Sequence, residues 1–277
     1  MSHRPDTLEH APLGRDSAYP EEYDAALLYP IPRAANRLPL GIEEGDLPFV
    51  GEDEWHAFEV SWLNARGKPI VAVARFRLPA NSPHLIESKS WKLYLNSFNQ
   101  TRFYNREEVM QTLANDLSVA AGAEVSVELF DVDAPELSPQ LLPGECLDDL
   151  DIAVSDYTPT NAHLTVGEEI VEETLYSHLL KSNCPVTGQP DWGSVLIRYT
   201  GPKIDREGLL RYLIGFRQHQ DFHEHCVEHI FSDIMAQAKP TQLLVLARYV
   251  RRGGLDISPW RATPGLTPPT PLRLARQ

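Results

Sequence analysis

A weak internal repeat is the feature that most constrains how this chain can fold. Displaced by 118 residues, the sequence matches itself at several positions, including Tyr94 on Tyr212, Leu95 on Leu213 and Phe98 on Phe216. The same displacement carries EVSVELF (124–130) onto QLLVLAR (242–248), and a displacement of 123 carries ARFRLP (74–79) onto IRYTGP (197–202). A loop of different length accounts for the change in displacement. The repeat predicts two copies of one fold unit in tandem.

Each half of the chain predicts the order strand, strand, helix, helix, strand. Alternating or continuous apolar runs predict the strands HAFEVSWLN, PIVAVARFRLP and WGSVLIRYT. Apolar stripes at helical spacing predict the helices, at Val109, Met110, Leu113 and Leu117 in one half and at Val227, Ile230, Phe231 and Ile234 in the other. We therefore expect an α+β fold in which antiparallel sheets are backed by helices.

The two ends of the chain differ in composition from the middle. Residues 1–20 are polar, and the segment 263–277 is rich in proline, so we expect flexible ends. Between them we expect an N-terminal unit at 21–150 and a C-terminal unit at 151–262. Hairpins backed by helices leave open sheet edges, which a second subunit can cover. This predicts a homodimer.

Charge and hydropathy exclude several classes of protein. The 277 residues are 42% hydrophobic with a net charge of -14, which repels a phosphate backbone and disfavours nucleic acid binding. The sequence contains no run of roughly 18 apolar residues and begins without a secretion signal, so we expect no membrane association and a cytoplasmic location. The three cysteines do not form a disulfide framework.

The three cysteines stand in different contexts. Cys226 belongs to a predicted apolar stripe and is expected to be buried. Cys146 lies in the acidic stretch PGECLDDLD, where neighbouring carboxylates disfavour a thiolate. Cys184 lies in the loop sequence SNCPVTGQPDW (182–192), seven residues before Asp191, among small and polar residues. Cys184 is therefore the candidate for a reactive thiol.

The segment DFHEHCVEH (221–229) is the densest cluster of metal-capable side chains. It contains His225, Glu228 and His229 in the H-x-x-E-H order of inverted zinc peptidases. These enzymes need a further carboxylate ligand downstream, where the chain offers only Asp233 and Asp256. The sequence therefore argues against this class.

Two interpretations of the histidines stay open. A zinc site of another kind could use Cys184 or Cys226 together with histidines. For His219, His225 and His229 taken singly, the sequence favours a solvated helix face.

The segment LIESKSWKLYLNSFNQTRF (85–103) predicts an amphipathic helix. Trp91, Leu95 and Phe98 share its apolar stripe. Glu87, Ser88 and Lys89 cluster at the helix start, where free amides attract anions. The same residues therefore allow a structural and a ligand-binding interpretation.

Four separated motifs resemble one enzyme family. ESKSWKLYLNSFNQ, SNCPVTGQPDWGS, FRQHQDFHEHCVE and YVRRGGLDISPWR occur in this order and together are similar to the NADPH-dependent 7-cyano-7-deazaguanine reductases, the nitrile reductases of queuosine biosynthesis, which modifies tRNA. The E-S-K-S-x-K-L-Y block distinguishes that family from the related GTP cyclohydrolases. The resemblance implies tandem tunnelling-fold units in one chain, with the signature in the first half and the nucleophile in the second.

The resemblance also implies a reaction mechanism. The nitrile of 7-cyano-7-deazaguanine would be reduced to a 7-aminomethyl group with two NADPH per turnover and no metal. Cys184 would add to the nitrile carbon to give a thioimide, which is more easily reduced than a nitrile. Asp191 would act as general acid, which requires a raised pKa that burial beside Trp192 could supply.

The resemblance implies the binding residues as well. Substrate recognition is expected from Ile86, Glu87, Ser88, His223 and Glu224, because carboxylates accept the N–H donors of a guanine-like ring. The cofactor is expected at Ser88, Lys89, Arg252 and Gly253. The repeat places Asp205, Arg206 and Glu207 where the first half has Glu87, Ser88 and Lys89, so the halves are expected to differ in role. The alternative is a zinc-dependent, cyclohydrolase-like hydrolase on the same fold.

Overall fold

The computed structural model describes residues 19–43, 45–268 and 273–277. The chain forms two compact units. The first comprises the described residues up to Leu38, together with Glu52–Ser138 and Arg251–Asp256. The second comprises the described parts of 39–51, 139–250 and 257–277. Each unit is thus built from several separate stretches of the chain.

The first unit contains the elements β1 to β5 and α1 to α3. Its strands are β1 (Pro30–Pro32), β2 (Val50–Leu63, which enters this unit at Glu52), β3 (Pro69–Pro79), β4 (His84–Ile86) and β5 (Ser126–Phe130). Its helices are α1 (Ala34–Arg37), α2 (Ser88–Ser97) and α3 (Arg106–Ala121). β3 pairs antiparallel with both β2 and β5, and β1 pairs antiparallel with β4.

The second unit contains the elements β6 to β11, α4 and α5, and its strands pair mainly antiparallel. Its strands are β6 (Glu145–Cys146), β7 (Val166–Ser177), β8 (Lys181–Asn183), β9 (Pro190–Ile204), β10 (Gln242–Tyr249) and, from Ile257 onward, β11 (Leu255–Ala262). Its helices are α4 (Arg206–Gly215) and α5 (His223–Ala238). β9 pairs antiparallel with β7, β8 and β10, and β10 pairs with β11. The short β6 pairs parallel with β7.

The apolar stripes face the cores, as the sequence predicted. In the first unit the rings of Trp55 and Trp91 stack with centroids 4.3 Å apart, and Phe76 meets Trp91 edge-on at 5.1 Å. In the second unit, Val227 and Ile230 on α5 are fully buried. Burial of such side chains contributes about 1.5 to 3 kcal/mol each.

Corresponding contacts recur inside each unit at, or within one residue of, the displacement found in the sequence. A carboxylate caps the first long helix of each: Glu87 accepts from the amides of Lys89 and Ser90, and Asp205 accepts from the amide of Gly208. Tyr94 donates to Asp116 at 2.6 Å, and Tyr212 donates to Asp233 at 2.7 Å. The predicted fold class, α+β with tandem units of antiparallel sheet backed by helices, is confirmed.

The predicted flexible ends have different outcomes. Of the segment 1–20, residues 1–18 lie outside the described residues. Of the segment 263–277, residues 269–272 lie outside them as well, but Leu274 is 6% exposed and Gln277 is 2% exposed. The described end of this segment is therefore packed and not flexible, because both residues bury their side chains in the second unit. Within the part of the chain described, no helix combines the length and apolarity needed to cross a membrane.

Candidate active site

A tight hairpin between β8 and β9 carries both Cys184 and Asp191. Asn183 lies opposite Pro190, and Ser182 lies opposite Asp191. The Cys184 amide donates to the Gln189 carbonyl at 2.9 Å, and the Gly188 amide donates to the Cys184 carbonyl at 3.0 Å. Gly188 has φ +67, in the left-handed region that glycine adopts without strain. Cys184 and Asp191 are therefore seven residues apart in sequence because they lie on the two sides of this hairpin, Cys184 directly after β8 and Asp191 near the start of β9.

The residue before the cysteine is anchored on both sides. The Asn183 amide donates to the His219 carbonyl at 2.8 Å, and the Asp221 amide donates to the Asn183 carbonyl at 3.1 Å. These bonds hold the hairpin against the segment that leads into α5. Cys184 is 5% exposed and Asp191 is 3% exposed, so both lie in a nearly closed environment.

The start of α5 brings a histidine to the acid. Nε2 of His223 lies 3.3 Å from Oδ2 of Asp191. The His223 ring stacks on Tyr249 with centroids 4.0 Å apart, which fixes its orientation. Glu224 follows in the first turn of α5 and is 2% exposed. The second unit thus brings together Cys184, Asp191, His223 and Glu224, four of the predicted site residues.

A buried layer lies beneath this cluster. Cys226 is fully buried, as predicted, beside Ser182 and Tyr249. Burial, together with the charge of Asp221, raises the pKa of the Cys226 thiol well above its usual value. Burial also raises the pKa of the Tyr249 hydroxyl. Cys226 is therefore held as a neutral thiol, unlike a reactive cysteine.

The expected role of Trp192 in burying Asp191 is wrong. Trp192 is 39% exposed, and its ring lies 5.4 Å from the Arg217 guanidinium carbon and 5.9 Å from Nζ of Lys181. Neighbouring residues on a strand point to opposite faces, so Asp191 turns inward where Trp192 turns outward.

The histidines of 219–229 face carboxylates. The predicted solvated helix face is wrong for the buried His225, whereas His219 and His229 are partly exposed. Asp221 lies 3.3 Å from His225, which is 1% exposed, and 3.5 Å from His219. Burial raises the pKa of Asp221, but the hydrogen bonds from His219 and His225 outweigh this and leave it well below the usual range.

The three side chains of the H-x-x-E-H order each have a separate partner. His225 contacts Asp221, His229 lies 3.2 Å from Asp233, and Glu228 accepts from Arg261 at 2.8 Å. Within residues 19–43, 45–268 and 273–277, three or more His, Cys, Asp or Glu side chains do not gather in an arrangement that could hold a metal ion.

The other predicted residues lie in the first unit. Ile86 ends β4 and is 1% exposed, and Glu87 is fully buried as the N-cap of α2. Burial raises the pKa of Glu87, although bonds from the Lys89 and Ser90 amides oppose this. Ser88 and Lys89 occupy the first turn of α2 and are half-buried. The structural interpretation of this segment is therefore confirmed, with the Glu87 carboxylate capping α2, and the ligand-binding interpretation stays a prediction.

A pocket of about 180 Å³ opens in the first unit beside α2. Its lining includes Lys92, Asn96, Asn99, Gly253 and Gly254. Sequence reasoning had identified only Gly253 among them. Lys92 belongs to the E-S-K-S-x-K-L-Y block itself, and Asn96 and Asn99 follow that block at helical spacing, which is the signal that would have found them.

The turn between Arg252 and Leu255 has a backbone conformation that favours the two glycines it contains. Arg252 and Leu255 pair across Gly253 and Gly254, whose φ values are +59 and +84. Two positive φ values in a two-residue hairpin turn favour glycine at both positions. A Cβ on Gly253 would lie 3.2 Å from the Lys92 side chain, so glycine keeps this backbone close to the lysine.

The first unit has a matching hairpin without the reactive groups. Its loop between β2 and β3 has Leu63 opposite Pro69 and Trp62 opposite Ile70. Leu63 is anchored by the Thr101 carbonyl and the Phe103 amide, both at 2.9 Å, as Asn183 is anchored in the second unit. Asn64 and Ile70 therefore stand where the second unit has Cys184 and Asp191. Each chain carries one such cysteine hairpin.

Comparison with known proteins gives consistent matches over the chain. Residues 19–129 match a family model described as "Nitrile reductase, 7-cyano-7-deazaguanine-reductase N-term", and residues 190–265 match one described as "QueF-like protein". The apo crystal structure of the archaeosine synthase QueF-Like is similar with a TM-score of 0.31 and 16% identity, over 36% of this chain and 99% of that one.

Three relatives that match over nearly the whole chain share one protein name. The chain is 75% identical over 277 residues to the "NADPH-dependent 7-cyano-7-deazaguanine reductase" of Chromohalobacter salexigens, covering 100% of both chains. It is 58% identical over 274 residues to the protein of that name from Chromobacterium violaceum, covering 98% of both. It is also 58% identical to that of Bordetella avium, covering 98% of this chain and 99% of the relative. The chain therefore belongs to the NADPH-dependent 7-cyano-7-deazaguanine reductase family.

Proposed function

We propose that this protein reduces the nitrile of 7-cyano-7-deazaguanine to the aminomethyl group in queuosine biosynthesis, through a covalent thioimide on Cys184. The observation that carries the mechanism is the hairpin, which presents Cys184 and Asp191 from one rigid turn while His223 contacts the acid. A nucleophile with an oriented acid nearby is the arrangement that covalent catalysis requires.

In the addition step, Sγ of Cys184 forms a bond to the nitrile carbon. The sulfur reacts as the thiolate. One of the two π bonds of the nitrile is broken, and its electron pair moves to the nitrogen, which takes a proton from Asp191. NADPH, when bound, supplies the two hydrides that the four-electron reduction needs. Between the two hydride transfers the C–S bond breaks and the sulfur leaves as a thiolate, so that a carbon–nitrogen double bond remains for the second reduction. His223, held by Tyr249, keeps Asp191 oriented toward the nitrogen.

Glu224 supports substrate recognition. Glu224 follows His223 in the first turn of α5 and is 2% exposed, so a bond from its carboxylate to the N–H donors of a guanine-like ring would be shielded from water. Hydrogen bonds to charged groups contribute about 1.5 to 3 kcal/mol each. Ile86, Glu87 and Ser88 are part of the proposed substrate site by family resemblance. Each carboxylate oxygen of Glu87 accepts one helix amide and has a second lone pair, which would accept a hydrogen bond from an N–H group of the ring.

The cofactor site is proposed in the first unit at Ser88, Lys89, Arg252 and Gly253, extended by the pocket residues Lys92, Asn96 and Asn99. The residues present fit the phosphate part of an anionic dinucleotide, because the glycine turn leaves room beside Lys92 that a Cβ would fill. A lysine ammonium and two amides can hold phosphate and ribose oxygens.

The assembly proposed is a cytoplasmic homodimer with one active site for each Cys184 hairpin. Two fold units per chain do not imply two sites, because Asn64 and Ile70 occupy the corresponding hairpin of the first unit. The number of sites should therefore equal the number of chains.

The test of this function measures stoichiometry on purified protein. The reductase oxidises two NADPH for each aminomethyl product and does so without bound zinc. A cyclohydrolase-like hydrolase would contain one zinc per site, consume no NADPH and leave the nitrile unchanged. That second outcome would overturn the proposal.

A further inference from the structure

The segment Arg273–Gln277 is an integral part of the second unit. Leu274 belongs to an apolar cluster with Leu142, Leu196, Leu244, Leu246 and Ala262. Arg273 forms a parallel bridge with Pro139, and its carbonyl accepts from the Gln140 amide at 2.7 Å. The segment is thereby fixed against the sheet.

Gln277 uses both ends of its side-chain amide. Its Oε1 accepts from the Leu274 amide at 3.1 Å, which closes a turn. Its Nε2 donates to the Tyr249 carbonyl at 3.3 Å and to Oγ of Ser258 at 3.0 Å. A fully bonded, buried amide of this kind fixes the position of what it touches.

Arg276 reaches the neighbouring strand. Its Nη2 lies within donating distance of the Gly193 carbonyl at 3.1 Å, the His178 carbonyl at 3.0 Å and Oγ of Ser194 at 2.8 Å. A planar guanidinium can hold several oxygens in one geometry, which a lysine cannot reproduce.

Gly193 and Tyr249 are partners in the β9–β10 ladder. Arg276 donates to the Gly193 carbonyl and Gln277 donates to the Tyr249 carbonyl, so both carbonyls of this residue pair are held. The Tyr249 ring also packs over Gly193, where a Cβ would lie 3.2 Å from the ring. Asp191 projects from β9 two residues before this pair, and His223 stacks on the Tyr249 ring.

We propose that Arg276 and Gln277 are positioning residues for the addition step at Cys184: by holding the Gly193–Tyr249 pair, they fix the contact between Asp191 and His223. This inference rests on the proposed function, in which Asp191 delivers a proton to the nitrile nitrogen. Small displacements of a reacting group cost large factors in rate, about a hundredfold for 1 Å. The two residues contact neither the nitrile nor the cofactor in this scheme.

The experiment follows the adduct between the enzyme and 7-cyano-7-deazaguanine by intact mass, without NADPH, over a range of pH. The variants are Arg276→Ala, Arg276→Lys and Gln277→Glu. Arg198→Ala is the matched control, since Arg198 also donates to this part of the chain, at the Thr267 carbonyl 2.7 Å away, without touching the pair. Circular dichroism and thermal unfolding establish that each variant is folded.

We expect Arg276→Ala and Gln277→Glu to lower the rate of adduct formation about tenfold or more, while the dissociation constant for the substrate changes less than about threefold. The pH profile of the rate shifts, because a loosened Asp191–His223 contact changes how the acid holds its proton. Arg276→Lys recovers part of the rate, and Arg198→Ala keeps the wild-type rate.

Two outcomes separate this inference from the proposed function. If the wild-type enzyme forms no adduct, the proposed function fails. If the wild type forms it but Arg276→Ala and Gln277→Glu react at the wild-type rate and pH profile, or Arg198→Ala slows equally, only the positioning role is refuted. Should Arg276→Ala fold poorly, the rates of Arg276→Lys and Gln277→Glu test the positioning role instead, because both substitutions nearly keep the side-chain volume.

Discussion

Asp191 and His223 are in direct contact, with Oδ2 of the acid 3.3 Å from Nε2 of the imidazole. The acid comes from the cysteine hairpin, and the histidine is the first residue of α5. Stacking on Tyr249 restricts the imidazole ring, so the pair has one arrangement. This relationship makes the proton donor of the proposed reaction a two-residue unit held by aromatic packing.

Replacing His223 with phenylalanine tests the orienting role of the ring. His223→Phe keeps a flat ring on Tyr249 but removes the nitrogen that faces Asp191, so the fold should be retained. We expect kcat for nitrile reduction to fall about a hundredfold, at the lower end of what positioned proton transfer contributes. Steady-state kinetics measure it, and an unchanged kcat would show that Asp191 works without the histidine.

Glu224 is expected to bind substrate through its charge. Glu224→Gln should raise the dissociation constant for 7-cyano-7-deazaguanine roughly tenfold, because a charged hydrogen bond becomes a neutral one. Glu207→Gln is the matched control, since Glu207 occupies the first turn of α4 in an exposed pair with Arg211. Calorimetric titration compares the two, and equal affinities would remove Glu224 from the substrate site.

The paired glycines of the Arg252–Leu255 turn allow a controlled test of the cofactor pocket. Gly253→Ala and Gly254→Ala share the strain of a positive φ, about 1 to 2 kcal/mol each. The new methyl group would crowd Lys92 at 3.2 Å in the first variant, whereas in the second it lies 3.8 Å from Glu59. KM for NADPH should therefore rise more in Gly253→Ala, by roughly tenfold, or about 1.4 kcal/mol. Similar KM values for both variants would place NADPH elsewhere.

Glu228 is expected to be structural. It and Arg261 form an ion pair in which both side chains are fully buried. Glu228→Ala leaves the guanidinium without its carboxylate and should reduce the free energy of unfolding by about 3 to 5 kcal/mol. Urea denaturation measures this loss. A stable variant that has lost bound zinc would instead support the hydrolase alternative.

The sequence predicted the elements that have strong local patterns. PIVAVARFRLP became β3 with the predicted bounds, and the stripe through Val227 became the buried face of α5. β7 was implied by the predicted order of elements but was not located, because its segment VGEEIVEETLYS is rich in glutamate and half of its residues are exposed. β11 was missed because Pro259 interrupts its pattern, and proline is unfavourable inside a strand.

The candidate site was predicted only in part, for a physical reason. Cys184 and Asp191 are close in sequence, so their hairpin can be inferred from Gly188 and the flanking prolines. The contact of Asp191 with His223 depends on how α5 packs beside β9 and β10, which no local pattern encodes. The burial of Gln277 likewise depends on tertiary contacts, its hydrogen bonds to Tyr249 and Ser258, in a segment whose prolines predicted flexibility.

The most direct test of the central claim is intact mass spectrometry of the protein after incubation with 7-cyano-7-deazaguanine and no NADPH. The account predicts a gain of one whole substrate mass per chain, absent in Cys184→Ala and retained in Cys146→Ala, whose thiol lies outside the cysteine hairpin. A gain that persists in Cys184→Ala, or a Cys184→Ala enzyme that still reduces nitrile to amine at the wild-type rate, would contradict it.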